Sequence, residues 1–201
     1  MRILLVGHTG TIGQIVCRGL LNSQDEIITA SRTSGDYRID ITKPKIISSL
    51  FEKVGKVDSI VVTTGVVDMS VLSELTPEKN SVSLENKVAG QTNIALIGQH
   101  YLMPGGSITL TTGVIHDEFI KGGVSASMAN GAITSFVEAA SYELEDGKRI
   151  NAVSAYPLKN SWGNYAPYFR GFLPVDSDFV YAQYEKSIYG IMTGHIFKAY
   201  H

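Results

Sequence analysis

Cysteine is nearly absent from this 201-residue chain: Cys17 stands alone, so an internal disulfide and a cysteine-built metal site are both excluded. An excess of charge of either sign is lacking too. The formal net charge is -2, and nucleic-acid binding ordinarily calls for a basic surface, so no nucleic-acid partner is expected. Long apolar runs are missing. The stretch Ile3-Leu4-Leu5-Val6 is far too short to span a bilayer, has no signal-peptide layout, and nothing later reaches membrane length. A cytoplasmic protein without membrane attachment is the expectation. No paired histidine spacing is present either: His8, His100, His116, His195 and His201 are scattered, so no metal is expected.

What remains is an ordinary globular balance, 44% hydrophobic and 18% charged, over a length that suits one domain, 1–201. Short apolar runs alternate with longer amphipathic ones, the pattern of βα units. The periodicity predicts strands near 2–7, 26–31, 37–40, 57–63, 106–112, 149–155 and 194–199. It predicts helices over about 11–22, 44–54, 78–102, 122–145 and 177–189. Ile60-Val61-Val62 is apolar on both faces, as in a strand covered by helices on both sides. The fold class is therefore α/β: a three-layer, doubly wound Rossmann fold with a mostly parallel sheet of about seven strands. The segment 157–176 lacks periodicity and is rich in aromatics, which fits a substrate lid or a packed surface loop.

The segment Gly7-His8-Thr9-Gly10-Thr11-Ile12-Gly13 follows the first strand and opens the first helix. A phosphate approaches a helix N-terminus closely only where side chains are absent and backbone N–H groups point outward. Gly7 suits the tight turn, Gly10 gives backbone access, and Gly13 lets the helix pack near the strand. At the end of the second strand, where an NAD site commonly carries an acid, the chain has Ser31-Arg32-Thr33. A guanidinium flanked by hydroxyls suits a 2′-phosphate, so NADP(H) is expected in preference to NAD(H).

In these features, and in Arg38-Ile39-Asp40-Ile41, Val62-Thr63-Thr64-Gly65, the run at 106–112, Arg149-Ile150-Asn151-Ala152-Val153 and Thr193-Gly194-His195-Ile196, the sequence resembles the short-chain dehydrogenase/reductase family over nearly its whole length. The resemblance implies that Asp40 and Ile41 meet the adenine, and that Thr63, Thr64 and Gly65 stand where the family usually has Asn-Ala-Gly. It also implies a homodimer or homotetramer formed through the two long helices.

The family's chemistry uses a tyrosine, with a lysine four residues later to lower its pKa. Matching the Ser125-Ala126-Ser127 core puts Val124 at the tyrosine and Met128 at the lysine, and neither can move a proton. The serine position falls around Thr112-Gly113, and Lys87 replaces the helical asparagine. The sequence is thus similar to a small bacterial subgroup that keeps the nucleotide motif without the active-site set. Two roles follow. One is an NADP(H)-binding sensor or regulator. The other is an NADPH-dependent oxidoreductase acting on a small carbonyl or alcohol through non-standard residues, among which Lys87, Tyr156 and His116 are candidates and a solvated helix face is the plainer reading of Lys87.

Overall fold

Seven segments form strands in the computed structural model, which describes residues 1–200, and most are apolar runs ended by a polar or glycine-bearing turn. They are β1 (Arg2–Val6), β2 (Glu26–Ser31), β3 (Tyr37–Arg38), β4 (Val57–Val62), β5 (Leu102–Gly113), β6 (Arg149–Ala155) and β7 (Ile196–Ala199). All pairs are parallel, in the order β3-β2-β1-β4-β5-β6-β7. The helices are α1 (Thr11–Leu20), α2 (Pro44–Val54), α3 (Pro77–Ser83), α4 (Gly90–Gly98), α5 (Val124–Ala140), α6 (Trp162–Tyr165) and α7 (Ser177–Tyr189), with a π-helical turn over Leu84–Ala89 joining α3 to α4. The expected doubly wound α/β fold is what the chain forms.

The two faces of the sheet build separate cores. Leu4, Val6, Ile60, Val62 and Leu110 face α2, α4 and α5, meeting Phe51, Ile94 and Ile133. Ile3, Leu5, Val61 and Val153 face α1 and α7, meeting Val16, Leu20, Val180, Tyr184 and Ile188. On the second face the strands also carry hydroxyls, and each finds a partner: Ser59 pairs with Ser107 at 2.9 Å, Thr109 with Ser187 at 2.7 Å, and Thr111 with the Tyr184 hydroxyl at 2.6 Å. Pairing offsets the cost of burying them and fixes α7 against the sheet.

Several expected boundaries move. The helix expected over 78–102 ends at Gly98, because β5 begins at Leu102, well before 106. The Tyr101 carbonyl accepts a bond from Val57 N–H at 3.0 Å, and this edge pairing claims the residues that apolar periodicity alone assigns to the helix. The helix expected over 122–145 starts after Gly122, whose φ of +80° is not helical, and stops at Ala140. The third strand shrinks to two residues. No helix among the described residues is long and apolar enough to cross a membrane.

Candidate functional site

Strand order reverses between β1 and β4, so their carboxyl ends open a crevice, the place where ligands bind in sheets of this kind. Gly7 ends β1 with φ +95° and donates its N–H to the Ala30 carbonyl at 2.8 Å. Gly10 N–H then returns to the Gly7 carbonyl at 3.1 Å, and α1 begins at Thr11 with no side chain capping its first N–H groups. Free N–H donors with a helix dipole behind them are the usual physical basis of anion binding at a helix start.

A cavity of about 300 Å³ lies here. It gathers Gly7, Thr9 and Gly10 from the turn, Ser31, Arg32 and Thr33 from the end of β2, Asp40 and Ile41, and Thr63, Thr64 and Gly65 after β4. Four residues singled out from the sequence lie elsewhere. His8 turns beneath the loop toward Ser34 and Gly35, its Nδ1 buried with no hydrogen-bond partner among the described residues. Thr11 and Ile12 line a second cavity. Gly13 is packed inside the turn: a Cβ there would stand 2.0 Å from the Gly7 carbonyl oxygen. Val66 and Asn86 also line the first cavity, and no sequence motif marks them.

The hydroxyls beside Arg32 do not share one role. Ser31 donates to the Ser34 carbonyl at 2.8 Å and so closes the turn that presents Arg32 and Thr33; its proton is not free for a ligand. The nearby acids are occupied as well. Asp36 accepts from Thr29 N–H and Oγ1, each at 2.8 Å, and Asp40 Oδ1 accepts from Thr42 Oγ1 at 2.7 Å and Thr42 N–H at 3.0 Å. The Thr42 bonds hold the Asp40 carboxyl below its ordinary pKa, as the Thr29 bonds do for Asp36. Arg32, exposed at the cavity rim, has neither a hydrogen bond nor an ion pair within the described chain.

The second cavity, about 220 Å³, continues from the helix start across the ends of β5 and β6. Its roof is the segment 157–176, where Leu158, Tyr165 and Phe169 line it. The Lys159 N–H bond to the Val175 carbonyl closes that segment on itself, and Phe169 packs it on Val114, Ile115 and Ala126, so it is a packed cover over the cavity.

Here the catalytic register taken from the sequence needs correcting. Val124 and Met128 line neither cavity and are 46% and 43% exposed on the outer side of α5. At the start of α5 two pairs four residues apart turn inward, Ser125 with Ala129 and Ala126 with Asn130, and only the second reaches the cavity. Ala126 is fully buried against the cavity wall; Asn130 lines the cavity and its backbone carbonyl accepts from Thr112 Oγ1 at 3.0 Å. The Ser-Ala-Ser core misleads by two residues because small residues recur along this helix and leave its register ambiguous. The outcome for chemistry is unchanged, since alanine and asparagine supply neither an acidic phenol nor an ammonium.

Of the substitutes, two are already engaged. The Tyr156 hydroxyl donates to Glu118 at 2.5 Å, and burial together with that carboxylate raises its pKa well above the ordinary phenol value. His116 is held by the Gly113 carbonyl at 2.8 Å and lines neither cavity. Lys87 differs, and the solvated helix face expected for it is wrong. It is only 8% exposed, lines the second cavity, and has no hydrogen bond or ion pair with any described residue. Burial alone pushes its pKa down to about 8. Among the described residues no cluster of histidine, cysteine or acid could hold a metal; His201 lies outside them.

The model of the family described as enoyl-(acyl carrier protein) reductase matches residues 20–177. Among solved structures, the protein lin1944 from Listeria innocua is 46% identical over 100% of both chains, with a TM-score of 0.97. A small-chain dehydrogenase in complex with NADPH is 24% identical, with 98% of this chain and 95% of that one covered and a TM-score of 0.87. The enoyl-[acyl-carrier-protein] reductase (NADH) of Aquifex aeolicus VF5 shares 16% identity over 99% and 94% of the chains, with a TM-score of 0.84. No protein of curated function matches the sequence.

Proposed function

Since this chain belongs to the short-chain dehydrogenase/reductase family, we propose that it binds NADP(H) through the β1–α1 turn and Arg32, and works without the family's tyrosine–lysine pair as a cofactor-binding sensor or regulator. The observation that carries the nucleotide half is the unpaired Arg32 guanidinium at the rim of a cavity whose floor is bare backbone. The cavity suits the dinucleotide. A Cβ at Gly7 would stand 2.8 Å from Thr64 Cβ, so the turn and the β4 end close on each other and leave the phosphates a cradle of N–H groups. Bound NADPH supplies a hydride donor; the chain's own residues supply its position and its selection.

With the neighbouring carboxylates already hydrogen-bonded, Arg32 is the cation a 2′-phosphate would meet. Arg32→Ala is expected to weaken NADPH binding about tenfold to a hundredfold, the worth of a charge-assisted bond, and to leave NADH within about threefold. Equal losses for both nucleotides, measured by calorimetry, would contradict this assignment of the 2′-phosphate. A sensor must also distinguish redox forms, so NADPH and NADP should differ in affinity.

One observation favours the second reading, an NADPH-dependent oxidoreductase of a small carbonyl or alcohol: Lys87, unpaired in the second cavity, is a proton donor in reach of neutral pH. NADPH oxidation with a carbonyl panel that disappears in Lys87→Met would select it.

The outward face of α5 bears on assembly. Val124 and Met128 are 46% and 43% exposed there, and a Cβ at Gly131 would meet nothing within 4 Å, so this side of the helix is open and partly apolar. We read this face as the contact of a homodimer or homotetramer. Met128→Lys places a charge in it and is expected to shift the protein to monomer in light scattering; an unaltered assembly would remove the face from the contact.

A further inference from the structure

Three polar residues share the inward side of the α3–α4 segment: Ser83, Lys87 and Gln91. The outer two are hydrogen-bonded. Ser83 Oγ accepts from the Asp68 N–H at 2.8 Å and from Ser125 Oγ at 2.7 Å. The Gln91 amide closes a ring with the backbone of Thr111, donating to its carbonyl and accepting from its N–H, each at 2.9 Å. These bonds lock the segment on both sides of Lys87. Between them the chain makes a π-helical turn, a feature that often marks a functional site. The lysine stem lies along Gly65, where a Cβ would come 3.1 Å from Lys87 Cδ, so the side chain passes beside the end of β4.

The middle residue therefore carries a cation into the second cavity with nothing of the chain to answer it, although its two neighbours on the same face are paired. An uncompensated buried ammonium is costly, and packing this firm keeps it in place. Across the cavity, Asn130 Oδ1 accepts from Thr112 Oγ1 at 3.3 Å, which leaves its Nδ2 without a partner in the chain. Two of the free polar groups are thus donors, one of them positive, and the Thr11 and Tyr165 hydroxyls are free beside them. The remaining lining includes Ile12, Val67, Ile115 and Phe169, all apolar. A ligand that satisfies this wall presents an anionic acceptor at one end and hydrocarbon at the other.

We propose that Lys87 Nζ is the anion-binding group of a small-ligand site, and that the site takes an apolar-tailed monocarboxylate. The inference rests on reading the second cavity as the ligand pocket beside the nucleotide. A carboxylate there would accept from the Lys87 ammonium and the Asn130 amide, and its tail would lie under the Phe169 cover. The lowered pKa agrees with the geometry: a bound anion restores to the ammonium the stabilisation that burial removes.

The test is a calorimetric titration of the full chain with butyrate and with its neutral isostere butanamide, with and without saturating NADPH, and with NADPH affinity measured on the same samples. Wild type should bind butyrate and discriminate against butanamide. Lys87→Met should weaken butyrate about tenfold to a hundredfold while NADPH affinity stays within about threefold. Lys87→Gln, which keeps a donor and loses the charge, should show the same loss. NADPH binding without butyrate binding would overturn the inference and leave the nucleotide reading intact. Equal binding of acid and amide, or an unchanged butyrate affinity in Lys87→Met, would also overturn it. So would a joint loss of NADPH and butyrate in Lys87→Met, which would make Lys87 a cofactor ligand. Butyrate binding retained where NADPH fails to bind would support the carboxylate site and sink the nucleotide reading.

Discussion

Gly13→Ala should abolish NADPH binding and lower thermal stability, although the change adds one methyl group. The added Cβ would lie 2.0 Å from the Gly7 carbonyl oxygen, 2.8 Å from Gly7 C and 2.8 Å from His8 Cα. All three are backbone atoms, so no side chain can swing aside. The turn must open or α1 must slide along β1, and either movement spoils the cradle. Overpacking typically costs about 1–3 kcal/mol, and a clash with backbone atoms alone belongs at the upper end, about 3 kcal/mol. In a protein of this size that corresponds to a melting temperature lower by roughly 6–12 °C. Gly10→Ala provides the control: its nearest neighbour would be the Gly7 oxygen at 3.6 Å, an ordinary contact, so stability should be nearly kept. Scanning calorimetry on both variants separates the two, and equal melting temperatures would contradict the packing described for Gly13.

Lys87→Met should move stability the other way. The folded chain holds Lys87 with a pKa near 8, against an ordinary value of 10.5, because burial disfavours its charge. Below pH 8 both states carry the proton and the full cost of the buried charge is present. Between about 8 and 10.5 the unfolded chain binds the proton more tightly than the folded one, so stability rises with pH across that window. The shift corresponds to about 3 kcal/mol. An apolar side chain of similar volume removes the cost without leaving a cavity. Lys87→Met should therefore melt roughly 6–12 °C higher near neutrality, and its stability should lose the rise between pH 8 and 10.5. A lower melting temperature would mean that Lys87 is satisfied in a way the structure does not contain. A side chain kept at a loss in stability, beside neighbours that are all paired, is the pattern expected of a ligand contact.

How much of this was legible in the residues alone varies by element. The strand cores and the glycine turn follow from local rules: an apolar run buried on both faces and a backbone that must admit a phosphate. Arg32 was legible as well, because the end of β2 is a fixed point in this fold. The inward face of a helix is decided by what it packs against, and there the reading failed twice. Along α5 the repeated serine, alanine and glycine residues let two registers fit almost equally, and only the burial of Ala126 and Asn130 against the β5 end separates them. Along α3–α4 a charged side chain reads as exposed on any propensity scale. It takes the Ser83 and Gln91 bonds, formed with residues distant in sequence, to turn Lys87 inward. Ser31 lines the cavity, but the sequence does not reveal that its hydroxyl proton is engaged within its own turn.

The most direct test of the central claim is a calorimetric titration of the purified wild-type chain with NADPH, NADP, NADH and NAD. NADP(H) binding at least about tenfold tighter than NAD(H), as a charge-assisted contact to a 2′-phosphate requires, is the expected result. Failure of all four nucleotides to bind would contradict the claim and leave the β1–α1 turn as a structural element alone.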